Sequence, residues 1–147
     1  MRKVTASHSL RVRARPEQVW DFTQNWNRRP EWDFSVVAAK VIKETPRTVW
    51  VHARGGLEIE VVYKLWDRPK LTTLAMKLHS PLVRGGGGSW KYEPSEDGTL
   101  WTQHNTLELR GDFLGAATAP FFARFLRFLT RRMMEKAKQL IEEESAR

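Results

Sequence analysis

The stretch that decides the fold runs from residue 4 to residue 22 and reads VTASHSLRVRARPEQVWDF. Its first eleven residues alternate between an apolar and a polar face, a period that is typical of a half-buried β-strand. The apolar face holds Val4, Ala6, His8, Leu10, Val12 and Ala14. Pro16 and Glu17 follow where a helix can begin, and Val19, Trp20 and Phe22 continue at helical spacing. A strand that leads directly into a short helix is therefore predicted.

Downstream of this helix the pattern changes to one strand after another. Arg29-Pro30 ends the first helix, and a second short helical turn leads through Trp32. Six further strands are predicted at residues 34–43, 48–54, 57–66, 71–80, 89–93 and 99–110, separated by turns rich in Pro, Gly and Asp. The strand at 89–93 is predicted with or without part of the preceding glycines. Because no helix lies between these strands, they are expected to form an antiparallel meander.

The last third of the chain returns to a helical period. Residues 113–144 place Phe, Leu, Met and Ile side chains three and four positions apart, with basic residues between them. An apolar stripe on so long a helix has to pack against a large surface, and the sheet is the only candidate. Pro120 is predicted either to kink this helix or to mark its true start.

Composition favours one compact domain over residues 1–147. Hydrophobic residues make up 41% of the chain, and seven Trp and seven Phe supply large faces for a core or a cavity wall. The chain has no cysteine, which excludes disulfides and thiolate chemistry. It shows neither the apolar run of a signal peptide nor the ~20 apolar residues of a membrane span. We therefore expect a soluble, cytoplasmic protein.

The net charge of +8 is unevenly distributed along the chain. Residues 1–15 carry five basic and no acidic side chains, and residues 110–138 carry seven basic and two acidic ones. The excess thus lies in the first strand and the last helix. Such a surface attracts nucleic acid, anionic lipid or an acidic ligand, and the alternative is an ordinary solvated basic surface.

Three short patterns resemble a known superfamily. They are the stretch from Val12 to Phe22 with its Pro and Val-Trp, the segment Arg29-Pro30-Glu31-Trp32-Asp33, and Trp90-Lys91-Tyr92-Glu93-Pro94 followed by Gly98-Thr99-Leu100-Trp101-Thr102. With the order of elements, they are similar to the START-like or SRPBCC superfamily, which includes polyketide cyclases, dehydrases and lipid-transfer domains. The resemblance implies an α+β helix-grip fold. In this fold a seven-stranded curved antiparallel sheet surrounds a long C-terminal helix, and two short helices lie between strands one and two.

The resemblance also implies an internal cavity for a hydrophobic or aromatic small molecule such as a lipid or a polyketide. Strand parity then indicates which side chains face inward. The predicted pocket-lining residues are His8, Leu10, Trp32, Ile59, Val61, Tyr63, Leu74, Met76, Trp90, Tyr92, Trp101, Gln103, Asn105, Phe121 and Phe125. The alternative is a filled core, in which the polar residues bond to the backbone or to each other.

The sequence leaves catalysis open. His8 is the one histidine on a clearly apolar face, yet no carboxylate lies near it in sequence, so a structural role competes with a catalytic one. His52, His79 and His104 are scattered over other strands, which predicts no metal site, and we expect no cofactor. The run Gly85–Gly88 lacks the lysine of a phosphate-binding loop. The alternatives are a bulge, a flexible mouth loop or the close approach of another backbone, and because the run leads into Trp90 a mobile entrance to the pocket is one hypothesis.

Three functions follow in order of preference. The first is binding of a hydrophobic small molecule, and the second is a polyketide cyclase or dehydrase activity. The third is a basic surface that contacts an anionic membrane or RNA. Nucleic acid is the weaker of these two partners, because the aromatic residues are expected on buried faces rather than on stacking platforms. The sequence does not determine the oligomeric state.

Overall fold

A computed structural model describes residues 2–147 of the chain, so Met1 lies outside the described residues. One sheet of seven strands and one long helix make up most of it. The elements in chain order are β1 (Arg2–Val12), α1 (Pro16–Thr23), a 3₁₀ turn (Arg29–Glu31), β2 (Val36–Glu44), β3 (Arg47–Ala53), β4 (Glu58–Asp67), β5 (Leu71–Leu78), β6 (Val83–Ser95), β7 (Gly98–Leu109) and α2 (Phe113–Ser145).

The strands form a single sheet in the order β1-β7-β6-β5-β4-β3-β2, and every neighbouring pair is antiparallel. Strands β2 to β7 form a meander, and β1 joins it at the far edge beside β7. The segment with α1 and the 3₁₀ turn therefore crosses from one edge of the sheet to the other. The predicted helix-grip fold is confirmed, with one α-helix and one 3₁₀ turn as the two short helices.

Helix α2 begins after Asp112, whose side chain accepts a hydrogen bond from the Gly115 amide at 3.3 Å. An aspartate at this position satisfies an amide that the first turn would leave free. The helix continues through Pro120, so the prediction that this proline marks the start of the long helix is wrong. Pro120 and Ala116 are both exposed, so water can solvate the Ala116 carbonyl that the proline cannot bond.

Strand β6 is longer than predicted, because it includes the whole glycine run. Gly85 to Gly88 pair with Lys77 to Leu74 of β5 on one side and with Glu108 to Asn105 of β7 on the other. The run is therefore central strand and forms no entrance loop. A side chain at Gly86 would meet the Thr106 carbonyl oxygen at 2.5 Å, so the neighbouring strand approaches too closely there for a side chain to fit without a shift of the backbone.

The interior divides into a closed end and an open end. At the closed end α1 and the C-terminal half of α2 press on the sheet, and Trp20, Tyr92, Trp101 and Met134 are almost fully buried. At the other end the N-terminal half of α2 stands off strands β3 to β6 and leaves a cavity. Among the described residues, no helix combines the length and the apolar character that crossing a membrane requires.

Candidate functional site

A cavity of about 820 Å³ lies between the concave face of the sheet and helix α2. Its walls are almost wholly aliphatic and aromatic. The sheet contributes Ile59, Val61, Leu74, Met76, Leu78 and Leu107, and the helix contributes Phe122, Leu126, Leu129 and Met133. A largely apolar cavity of this size, with few polar groups, is typical of sites for small molecules.

The inner end of the cavity carries one buried cation. Arg29 is 5% exposed, and its guanidinium carbon lies 4.2 Å from the ring centre of Trp26, 4.7 Å from that of Trp32 and 4.6 Å from that of Trp90. Aromatic faces attract a cation, and the attraction reaches about 2 kcal/mol in dry surroundings. The three tryptophans therefore fix the position of Arg29.

Asp33 neutralises this cation. Arg29 Nε donates to Asp33 Oδ2 at 2.9 Å, and the two side chains are 6% and 5% exposed. The other carboxylate oxygen accepts from the Ser35 amide at 3.0 Å and from the Ser35 hydroxyl at 2.6 Å. An unpaired buried charge costs several kcal/mol. Removal of either residue alone would therefore leave the other as a costly buried charge.

Behind the cavity wall, buried polar side chains form a chain of hydrogen bonds. Trp26 Nε1 donates to the Tyr63 hydroxyl at 3.0 Å, and that hydroxyl donates to Gln24 Oε1 at 2.9 Å. Gln24 Nε2 donates to the Tyr92 hydroxyl at 2.8 Å, and this hydroxyl also bonds to Thr23 Oγ1 at 2.7 Å. The chain ties α1 to the sheet and holds Trp26 at the cavity wall.

The two tyrosines of this chain, the only ones in the protein, give a prediction for alkaline pH. Burial raises the pKa of Tyr63 and of Tyr92 above the ordinary value, because the phenolate is disfavoured away from water. Stability is fully present below the unfolded-state pKa of about 10 and is lost as pH rises toward the folded-state values. We expect phenolate absorbance to appear only together with loss of the native circular dichroism. Phenolate absorbance at about pH 10 in the intact fold would contradict this.

The opening of the cavity is rimmed by aromatic and basic residues. Phe34, Phe125 and Phe128 border it and are 41%, 46% and 57% exposed. Arg54 and Arg132 lie at the same rim and are exposed to solvent. An apolar molecule that enters thus passes between phenylalanine rings before it reaches the aliphatic interior.

Seven of the predicted pocket residues border the cavity: Ile59, Val61, Leu74, Met76, Trp90, Asn105 and Phe125. Asn105 is held by its neighbours, because its oxygen accepts from Trp90 Nε1 and its amide donates to Gln103 and Thr130. That these seven residues contact a ligand remains a prediction.

The other eight predicted residues do not border the cavity: His8, Leu10, Trp32, Tyr63, Tyr92, Trp101, Gln103 and Phe121. The inward face of the strands extends beyond the cavity into the closed end, where Trp32, Tyr92, Trp101 and Gln103 are buried and Leu10 packs on them. Tyr63 belongs to the hydrogen-bonded chain behind the wall. His8 is half-buried on β1 and pairs with Gln103 of β7, whereas β7 borders the cavity farther along, at Asn105, Thr106 and Leu107. Parity finds the correct face of a strand but not how far along it the cavity extends.

Phe121 does not border the cavity for a different reason. It points away from the sheet and is 65% exposed, whereas its neighbour Phe122 faces the cavity. At about 100° per residue, Phe121, Phe125 and Phe128 form a narrow stripe next to the side of the helix that carries Phe122, so spacing alone does not show where the buried side ends.

Three residues of the inner end were missed by the sequence analysis: Trp26, Arg29 and Asp33. Arg29 and Asp33 stand four residues apart between tryptophans, which is a signal for a buried ion pair. Charged residues are nearly always exposed, and their burial here depends on partners from β4 and β6 that are distant in sequence.

The fold and the cavity together define a helix-grip protein with an internal apolar chamber. A model of the family described as "Polyketide cyclase / dehydrase and lipid transport" matches residues 1–142, and the chain belongs to this family. No curated protein sequence matches the chain.

Solved structures share the fold at low sequence identity. The aromatase/cyclase Zhui from Streptomyces sp. R1128 matches with a TM-score of 0.82 and 12% identity over 98% of this chain and 96% of that one. The di-domain ARO/CYC StfQ of the steffimycin biosynthetic pathway matches with a TM-score of 0.79 and 16% identity. The match covers 99% of this chain and 52% of StfQ, so the chain spans about half the length of that protein. A protein from Thermus thermophilus, TTHA0849, matches with a TM-score of 0.74 and 15% identity over 98% and 99% of the two chains.

Proposed function

We propose that the protein binds a hydrophobic or aromatic small molecule, such as a lipid or a polyketide, in the cavity between the sheet and α2. The observation that carries this proposal is an apolar cavity of about 820 Å³ bordered at its opening by phenylalanines and arginines. Burial of apolar surface contributes about 25 cal/mol per Å². An empty chamber also leaves its wall without packing partners, so an apolar occupant stabilises the fold.

A titration with ethylpyrene, a neutral polycyclic hydrocarbon, tests the proposal. Trp26 and Trp90 border the cavity, and pyrene absorbs where tryptophan emits. We expect tryptophan emission to fall in a saturable manner that ends at one equivalent, together with a higher melting temperature. A response that never saturates, or none at all, would overturn the proposal.

A cyclase or dehydrase reaction in the same chamber is the second candidate, favoured by the aromatase/cyclase neighbours. Among the cavity-lining residues, Asp33 is the one carboxylate and there is no histidine. Asp33 is thus the group through which a bound substrate would exchange a proton. The test is product analysis with a synthetic linear poly-β-ketone thioester. Cyclised product that forms with the protein and falls strongly with Asp33→Asn, while that variant keeps the native circular dichroism, supports catalysis. Product that forms only at the uncatalysed rate with the wild-type protein rules catalysis out.

The outer side of α2 favours a further function, contact with an anionic membrane. We define the Phe–Arg face as the exposed residues Phe113, Leu114, Phe121, Phe125 and Phe128 together with Arg124, Arg127, Arg131 and Arg132. Exposed apolar side chains beside several cations are typical of helices that lie on anionic bilayers. The expectation that the apolar stripe of α2 packs on the sheet is wrong for Phe121, Phe125 and Phe128, which are exposed.

The charge of the Phe–Arg face favours an anionic membrane over a second copy of the chain as its partner. Two copies packed face to face would oppose arginine to arginine, which is unfavourable, whereas anionic headgroups neutralise all four cations. The face is also continuous with the cavity, because Phe125, Phe128 and Arg132 border both. A ligand dissolved in the bilayer thus has an apolar route inward.

Sedimentation with phosphatidylserine-containing vesicles tests this contact. Phe113→Ser combined with Phe121→Ser changes two exposed residues that do not border the cavity. We expect about a tenfold loss of vesicle binding, since each phenylalanine contributes apolar burial in the interface. The matched control, Ile42→Ser with Leu65→Ser, removes exposed apolar residues of β2 and β4 and leaves binding unchanged. Equal losses, or self-association through the face without lipid, would contradict the membrane contact.

We also place the protein in the cytoplasm, in keeping with a chain that carries no cysteine. Cell fractionation with a specific antibody tests this placement. Recovery of the protein from an oxidising compartment would overturn it.

A further inference from the structure

Arg29 has a hydrogen-bond donor without a protein partner, Nη2, at the inner end of the cavity. Its Nε donates to Asp33 at 2.9 Å, and one Nη1 hydrogen reaches the Thr23 carbonyl oxygen at the long distance of 3.4 Å. Within residues 2–147, Nη2 donates no hydrogen bond to the protein, although the side chain is 5% exposed and borders the cavity. A guanidinium carries five N–H donors and rarely leaves them unused away from water.

Other polar groups of the inner wall are already satisfied. The Asn105 oxygen accepts from Trp90, and its amide hydrogens go to Gln103 and Thr130. The Trp26 indole donates to Tyr63, and the Ser35 hydroxyl donates to Asp33. In the described part of the chain, Trp32 Nε1, Trp101 Nε1 and Gln103 Nε2 are also without a partner, but these residues do not border the cavity. Among the residues that border its inner end, Arg29 is therefore the one with donors to offer, while Arg54 and Arg132 lie at the solvent-exposed rim.

The charge balance decides which acceptor suits this donor. Arg29 and Asp33 are paired, so the inner end carries no net charge. A carboxylate added there would leave an excess negative charge in a chamber walled by apolar groups, which is costly. A neutral oxygen, such as a ketone, accepts the hydrogen bond without that cost.

We infer that Arg29 is a ligand-binding residue whose Nη2 donates to a ketone or comparable neutral oxygen on the inner end of an otherwise apolar ligand. This inference rests on the proposed function, because it concerns the same cavity. The tryptophans and Asp33 hold the guanidinium in place, so little rotational freedom is lost when the ligand arrives. The ligand class is thus narrowed from any hydrophobic molecule to an apolar, ring-bearing ketone.

Two probes of nearly equal shape test the inference. Acetylpyrene carries a carbonyl where ethylpyrene carries a methylene group. We expect acetylpyrene to bind about tenfold more tightly, as a hydrogen bond from a charged donor predicts. Its carbonyl stretching band should also move to lower frequency in the complex than in a hydrocarbon solvent.

Variants then assign the preference to Arg29. Arg29→Met combined with Asp33→Asn removes both charges together, keeps a long apolar side chain among the tryptophans and preserves an acceptor for Ser35. In this variant the two probes should bind equally, without the infrared shift. The matched control Arg132→Met removes a rim arginine and should keep the preference. The preference of the wild-type protein for acetylpyrene and the infrared shift are measured without any variant. These two measurements therefore still test the inference if the double variant does not fold.

The outcomes separate the two claims. If both probes bind the wild-type protein equally and the band does not shift, the role of Arg29 is overturned while the cavity proposal stands. If neither probe binds, the proposed function fails and this inference fails with it. A preference that Arg132→Met abolishes would move the donor to the rim and also overturn the inference.

Discussion

The protein that carries Leu74→Trp and Met76→Trp is expected to bind ethylpyrene about seventyfold more weakly than the wild type. Both side chains lie on β5 and border the cavity. Two indoles in the chamber would cover roughly 100 Å² of apolar wall that the probe otherwise contacts. At about 25 cal/mol per Å² this corresponds to a loss of about 2.5 kcal/mol of binding free energy. Fluorescence titration measures the loss.

The matched control for this prediction is Thr73→Trp with Ala75→Trp. These residues alternate with Leu74 and Met76 along the same strand, and neither borders the cavity. The control adds the same two side chains on the opposite face of the sheet and should bind the probe as the wild type does. The cavity variant should melt no lower than the control, because its indoles fill empty space. Equal loss of binding in both variants would show that the chamber is not the binding site.

The largest loss of stability is expected from Gly86→Ala, at about 3 kcal/mol of unfolding free energy. A methyl group there would lie 2.5 Å from the Thr106 carbonyl oxygen of β7 and 2.7 Å from Met76 Cε of β5. The backbone oxygen has little freedom to retreat, so the strands have to separate. For a domain of this size the melting temperature should fall by about 10 °C, as thermal unfolding followed by tryptophan emission would show.

Gly85→Ala is the internal control for the glycine run. Its added methyl group would meet the Met76 carbonyl oxygen at 3.2 Å, a contact that a small shift relieves. We expect a loss of at most about 1 kcal/mol. Equal losses in the two variants would show that Gly86 is no more crowded than Gly85. No loss in either variant would show that the close approach of β6 to its neighbours is wrong.

The fold was predictable because its signals are local. Alternation in residues 4–14, Pro16 at a helix start and the change to a helical period after residue 112 each depend on neighbours in sequence. The glycine run remained open between a loop, a bulge and a close backbone approach for the opposite reason. Glycines usually weaken a strand, and only the packing of β5 and β7 on both sides shows why this strand requires them.

The site was predictable only in part. The parity of β4 and β5 placed Ile59, Val61, Leu74 and Met76 on the face that borders the cavity. The boundary between chamber and closed core depends instead on where α2 stands off the sheet, which no periodicity encodes. The burial of Arg29 between Trp26 and Trp32 of its own segment and Trp90 of β6 is a tertiary property of the same kind.

The methionine methyl groups report directly on whether an apolar ligand occupies the chamber between the sheet and α2. Met76 and Met133 border the cavity, whereas Met134 is fully buried in the closed core. Nuclear magnetic resonance of isotope-labelled methionine methyls, assigned with Met→Leu variants, would follow a titration with ethylpyrene. We expect large ring-current shifts at Met76 and Met133 that saturate at one equivalent, with Met134 almost unmoved. Unchanged resonances at Met76 and Met133 in the presence of saturating probe would contradict it.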